Sequence, residues 1–304
     1  MRVAAASALW LWLVLASTCA SASASGGEEL RLNAYTSEGE LAQVAFAARG
    51  VDKCSPAVGF VVGDELGVLL SCSPRPSPLS LRVSSTIEWM DGVGVCAVGY
   101  KADCLRLKTE WRGVVENHKF IFGEAPAASK IATKLSAVLT SGLYPERGRD
   151  KEREAPFARP LAASVLFLAS DEAPAGGRLR LLQLDNSGAI FRCHKLAALG
   201  SLAAHAKDLA AVSDAVGSAS VSASGDEAAA LVERVAASLF RHSQRALGFD
   251  SDLAGGGGDT ETEAELELEC LVVDGRGRGQ HLRADSPAQL RSALVASLAR
   301  VFKN

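Results

Sequence analysis

No CxxC pair and no Cys/His spacing occurs in this chain, and it contains no G-x-S-x-G elbow. Those absences argue against a structural zinc site and against the serine turn of an α/β hydrolase. There is also no run of basic residues longer than a few, and the net charge is -3. That balance gives no footing for a nucleic-acid partner and reads as ordinary solubility. Beyond the N-terminus no segment approaches 18 apolar residues, so the remainder carries no membrane span and no stable membrane association is expected. The five histidines, His118, His194, His205, His242 and His281, are scattered and read as surface groups rather than ligands. "GRGRG" at Gly275 to Gly279 lacks the strand–helix setting of a phosphate loop and reads as a turn. Residue types and spacing alone therefore point to no metal and no cofactor.

What is present is ample core material. Of 304 residues, 48% are hydrophobic and 22% charged, enough for one full domain. The opening "MRVAAASALWLWLVLASTCASASASGG" has a positive start at Arg2, an apolar stretch from Ala8 to Ala16 and small residues around Ala20, Ala22 and Ala24. That pattern over 1–24 is a signal-peptide-like segment; an unstructured Ala/Ser-rich arm or a mis-assigned start is the alternative. If it is removed, Cys19 goes with it and six cysteines stay. An even number permits disulfides, but Cys72, Cys96, Cys193 and Cys270 lie in or beside strand-like runs and read as free core thiols.

The stretch from Tyr35 to Gly50, "YTSEGELAQVAFAARG", reads as a capped amphipathic helix. Ser37 and Glu40 have capping-box spacing. Leu41, Val44, Ala45 and Ala48 form one apolar stripe, and Gly50 stands where a C-cap belongs. Two apolar runs, Ala57 to Val62 and Gly67 to Cys72, follow as a hairpin, with Pro74, Pro76 and Pro78 ending regular structure. A second pair of strands meets at Asp91-Gly92. Helices are expected over Ala102 to Asn117 and from Pro126, then a charged, proline-bounded loop from Tyr144 to Pro160. Three strands ("LAASVLFLA", "LRLLQLD", "AIFRCHK") and helices over Leu199 to Ala215 and Asp226 to Leu247 come next. A flexible Gly-rich, acidic insertion at 251–264 precedes the strand "LELECLVVD", and a helix beginning at Ser286-Pro287 closes the chain. Antiparallel strand runs separated by helix pairs imply an α+β fold, two sheets between helical layers, in one domain over 28–304.

That order, with that opening helix, resembles the alpha-type subunits of the proteasome core particle, within the N-terminal-nucleophile hydrolase superfamily. Thr36, Glu38, Gly39, Leu41, Gln43, Val44 and Ala47 match the family's Phe-Ser-Pro-acid-Gly-x-Leu-x-Gln-Val-Glu-Tyr-Ala signature, and Tyr35 and Phe46 are aromatic replacements. Gly99, Ala102 and Asp103 match its Gly-x-x-Ala-Asp. Asp185, Gly188 and Gly200 match the strand–turn–strand that ends in Ala-x-Gly. The resemblance implies a four-layer αββα sandwich. It also implies a first helix that fills the cleft left open as the active site in beta-type subunits. Partners would be other alpha-type and beta-type subunits in a seven-membered ring.

Hydrolases of this superfamily attack with an N-terminal Thr, Ser or Cys whose free amine is the base. The resemblance lays Ser55 on that position, with Cys54 before it and Pro56 after. The assisting Asp would fall near Ser73 and the lysine at Ser84 or Ser85, so no complete set exists and no catalytic residue is expected. The family's pore-gating Tyr-Asp-Arg falls at Glu28 to Leu30 ("EEL"), and its pocket lysine falls within Ser73 to Arg75 ("SPR"). A non-catalytic ring subunit is the leading reading. Self-processed amidohydrolase activity at Ser55 or Cys54, or a non-assembling paralogue, are the alternatives. The family is expected in cytoplasm and nucleus, whereas the signal-like N-terminus argues for the secretory pathway.

Overall fold

Apolar runs broken at turns assemble into ten strands among the described residues, arranged as two antiparallel five-stranded sheets. The computed structural model describes residues 35, 38–63, 66–75, 85–141, 159–170, 178–217, 225–247, 266–274 and 278–301. The signal-like segment 1–24, Ser37 and the insertion 251–264 lie outside them. In chain order the elements are α1 (Ala42–Val51), β1 (Ala57–Val62), β2 (Leu66–Pro74), β3 (Ile87–Met90) and β4 (Val93–Gly99). Then come α2 (Lys101–Phe122), α3 (Ala128–Ser141), β5 (Ala163–Ser170), β6 (Leu179–Leu184), β7 (Ile190–Cys193) and β8 (Leu196–Leu199). The last are α4 (Ser201–Ala204), α5 (Ala206–Gly217), α6 (Gly225–Ala246), β9 (Leu266–Asp274), β10 (Gly279–Ala284) and α7 (Pro287–Val301).

One sheet has the order β10-β9-β2-β1-β8 and the other β3-β4-β5-β6-β7. Leu69, Leu166, Leu168, Leu181 and Leu271 fill the space between them. Outside the second sheet, Leu107, Trp111, Ile131, Leu135 and Leu139 of α2 and α3 pack on Val95, Val165 and Phe167. Outside the first, Val232, Val235 and Leu239 of α6 pack with Leu290 and Leu294 of α7 on Val58, Phe60 and Val68. The result is the expected four-layer αββα sandwich. Fully burying each large side chain contributes about 1.5–3 kcal/mol, whereas exposed pairs such as Arg106–Glu110 at 3.1 Å contribute about 0–1 kcal/mol. Packing between layers therefore holds the fold.

Several expectations are corrected. "LELECLVVD" forms an antiparallel strand as expected, β9, with all nine residues buried. Both of its faces are covered, Leu266, Leu268 and Cys270 by the helical layer and Leu271 and Val273 by the opposite sheet, and β10, whose polar "GQHLRA" gave no strand signal, pairs along its edge. The helix expected over Leu199 to Ala215 is divided. Leu196–Leu199 pairs with β1 as β8, and His205, at φ -107 and ψ 89, separates α4 from α5. The Asp91-Gly92 hairpin forms as expected, with φ 49 and 83. Pro74 does not break the chain at once but ends β2 opposite Leu266.

Candidate functional site

The segment that defines the site is α1 with the five residues after it. The helix starts at Ala42, later than the sequence suggests. Its N-cap is Leu41, in extended conformation and without a side-chain cap. Leu41 is held in a bridge to Tyr35, which keeps it extended, so a capping box led by Ser37 and Glu40 does not frame the helix. Gly50 lies inside the helix and Asp52 is the C-cap, its N–H donating to the Ala48 carbonyl at 3.0 Å.

Ala42, Ala47 and Val51 are the buried positions of α1, while Leu41, Val44, Ala45 and Ala48, the expected stripe, are half-buried. The helix lies on β4 and β5, and Val51 enters the layer between the sheets. Asn186, itself buried, donates from Nδ2 to the Val44 carbonyl at 3.1 Å. Of the other signature residues, Tyr35, Glu38 and Gly39 are exposed and Gln43 is half-buried. Phe46 is exposed beneath the Arg49 guanidinium, 4.8 Å from its ring centre.

The second signature is a clamp at the start of α2. Gly99 has φ 146, and a Cβ there would stand 2.2 Å from the Ala162 carbonyl oxygen, so only glycine fits. Asp103 is buried and accepts two hydrogen bonds from Arg159 at 2.8 Å and one from the Ala162 N–H at 2.9 Å. Its carboxylate raises the Arg159 pKa further above an already high value. Ala102 beside it is exposed. These residues join the start of α2 to the chain entering β5.

At the nucleophile position, Ser55 precedes β1 in a continuous chain and is half-buried. The Cys54 N–H donates to the Val51 carbonyl at 2.9 Å, and the Cys54 carbonyl accepts from the Ser201 N–H at 3.0 Å. The Cys54 thiol bonds to the Gly50 carbonyl at 3.2 Å, and burial pushes its pKa up, the opposite of what an attacking thiolate needs. Ser73, the last residue but one of β2, stands opposite Glu267. Ser85, where the resemblance seeks a lysine, donates its hydroxyl to Glu269 Oε2 at 2.8 Å.

Sequence reasoning missed three groups. Glu269 is fully buried, and its Oε2 accepts from Ser85, from the Thr86 N–H at 2.8 Å and from the Ile87 N–H at 3.0 Å. Lys108, also buried, bonds to the Ser85 carbonyl and lies 3.4 Å from Glu88. His242, expected at the surface, is buried between Asp208 and Ser201. A cleft of about 410 Å³ opens at the edges of β3 and β10, lined by Glu88, Trp89, Trp111, Arg112, His281 and Arg283. Among the described residues no group of three His, Cys, Asp or Glu side chains could hold a metal, and no helix is long and apolar enough to cross a membrane.

No family model matches the chain. Curated relatives do. Over 173 residues it is 30% identical to proteasome subunit alpha type-5 of Drosophila melanogaster, covering 56% of this chain and 67% of that protein. Over 176 residues it is 28% identical to proteasome subunit alpha type-2 of Caenorhabditis elegans, covering 58% and 70%. Over 180 residues it is 27% identical to the proteasome subunit alpha of Methanococcus maripaludis, covering 58% and 63%. With two antiparallel sheets between helical layers and this degree of likeness, the chain is a divergent member of the proteasome alpha-subunit family.

Proposed function

We propose that this chain is a structural subunit of an alpha-type ring in a proteasome core particle, without a proteolytic site of its own. Other alpha-type and beta-type subunits would be its neighbours in a seven-membered ring that supports ubiquitin-dependent protein degradation. The observation that carries this reading is the packing of α1 on the second sheet. The helix is anchored on β4 and β5 and tied to Asn186, and the Ser55 position lacks the assisting acid and lysine that a nucleophile of this superfamily needs. The segment over 1–24 is proposed as an export signal, which would take the subunit into the secretory pathway rather than to cytoplasm and nucleus.

Intact mass and native size test both parts. The expected result is a chain uncut between Val51 and Ala57 that co-migrates with a large ring assembly. A break before Cys54 or Ser55, with capture by reagents for N-terminal nucleophiles, would establish the amidohydrolase alternative. An intact chain that stays monomeric would establish the non-assembling paralogue.

A further inference from the structure

In the helical layer outside the first sheet, three side chains from separate elements form one hydrogen-bonded chain. His242 on α6 lies 2.7 Å through Nδ1 from Asp208 Oδ2 on α5, and 3.0 Å through Nε2 from Ser201 Oγ at the start of α4. Asp208 Oδ1 also accepts from Arg245 Nη2 at 3.0 Å. Burial alone would raise the Asp208 carboxyl, but the bonds from His242 and Arg245 outweigh it and hold it below its ordinary value. An ionised carboxylate only accepts, so Nδ1 carries the proton. In the neutral ring Nε2 is then left to accept from the Ser201 hydroxyl. The edge of the exposed His205 ring meets His242 at 5.0 Å between ring centres.

The backbone at Ser201 is a sharp strand-to-helix turn, made without a G-x-S-x-G motif. Strand β8 ends at Leu199, Gly200 turns at φ 71, and Ser201 opens α4. A Cβ on Gly200 would stand 2.5 Å from the Ser55 carbonyl oxygen, and the Ser201 N–H is tied to the Cys54 carbonyl. Ser201 is thus fixed from behind, and the residue as a whole is half-buried. Serine, histidine and aspartate in these roles are recognised by geometry and not by order in the sequence.

We propose that Ser201, with His242 as base and Asp208 as the residue that orients it, is an activated serine that reacts with small activated carboxylic esters. Ser201 Oγ attacks the ester carbonyl carbon and its proton passes to His242 Nε2. The C–O bond to the leaving alcohol breaks, and the alkoxide takes that proton. Water then attacks the acyl-serine with the same histidine as base, which frees the carboxylic acid and restores the serine. The reacting hydroxyl here is that of Ser201 and not that of Ser55, whose backbone lies against Gly200.

The test uses the purified full-length chain with a fluorophosphonate probe, which forms an Oγ–P bond and releases fluoride, and with p-nitrophenyl acetate. The expected result is one label per chain, mapped by peptide mass to Ser201 and lost in Ser201→Ala. Asp208→Asn should slow labelling and acetate release by about a hundredfold or more, because the imidazole loses its set tautomer. Circular dichroism establishes that both variants are folded; should Asp208→Asn fail to fold, mapping in the parent and in Ser201→Ala decides. A folded parent that takes no label, a label on another residue, or a folded Asp208→Asn that reacts at the parent rate would each overturn the proposal.

Discussion

Replacing Glu269 with alanine removes the acceptor that fastens one sheet to the other. Glu269 sits on β9, and the groups it binds, Ser85, Thr86 and Ile87, lead into β3 of the opposite sheet. Ser85 also reaches the Ile87 carbonyl at 2.6 Å, so its hydroxyl has somewhere to go. The two amides have less recourse. The Ile87 residue is 1% exposed, so its N–H meets little water and a full desolvation loss of about 1–3 kcal/mol applies. Thr86 is half-buried and loses part of that. The vacated volume adds a cavity contribution, bringing the total to about 3–5 kcal/mol. Against a total stability of about 5–15 kcal/mol, that is a large shift. It is read by urea unfolding, with Trp89 and Trp111 as fluorescent reporters beside the site. Glu269→Gln keeps an oxygen for the amides and should lose only about 1–2 kcal/mol. An alanine variant within about 0.5 kcal/mol of the parent, the range of an ordinary surface change, would refute the reasoning. So would a glutamine variant as unstable as the alanine one.

Gly200→Ala should cost about 2–4 kcal/mol, from positive φ and from overlap with the Ser55 carbonyl; a thermal midpoint equal to the parent's would contradict it. Asn186→Ala should weaken the anchoring of α1 by about 1 kcal/mol, seen as faster amide exchange over Ala42–Val51 with β1 unchanged. The buried thiols predict alkaline sensitivity, since burial pushes Cys72 up to about 11 and Cys96 and Cys104 up to about 12. Folded values above the unfolded one mean that stability is intact below about pH 9 and falls as pH rises toward 11–12, by on the order of 1 kcal/mol per thiol at pH 10. Unfolding midpoints at pH 8 and pH 10 check this, and a flat profile would refute it.

The sandwich was legible because its central strands are continuous apolar runs bounded by turn residues, as in "AVGFVVGDELGVLL". Long helices were legible by period, although α2 runs on to Phe122, where Gly123 at φ 77 stops it. What escaped reading depends on distant partners. β10 is polar and becomes a strand only because β9 offers an edge, and β8 is four Ala/Leu residues that would suit a helix equally. Local spacing placed a helix start at Ser37, yet the Tyr35–Leu41 bridge sets it at Leu41. Glu269 resembled the polar face of an alternating strand, and only the chain entering β3, more than 180 residues earlier, reveals what it binds. His242 carried no signal for a similar reason: its neighbours Ser201 and Asp208 are 41 and 34 positions away.

The link from Val51 to Ala57 gives one stretch of backbone two jobs at once. It tethers α1, and it occupies the only place where scission would liberate an amine next to Ser55. A cut there would expose a reactive end and, in the same event, untie the helix from β1. Under the proposed structural role, an uncut link and a retained helix go together.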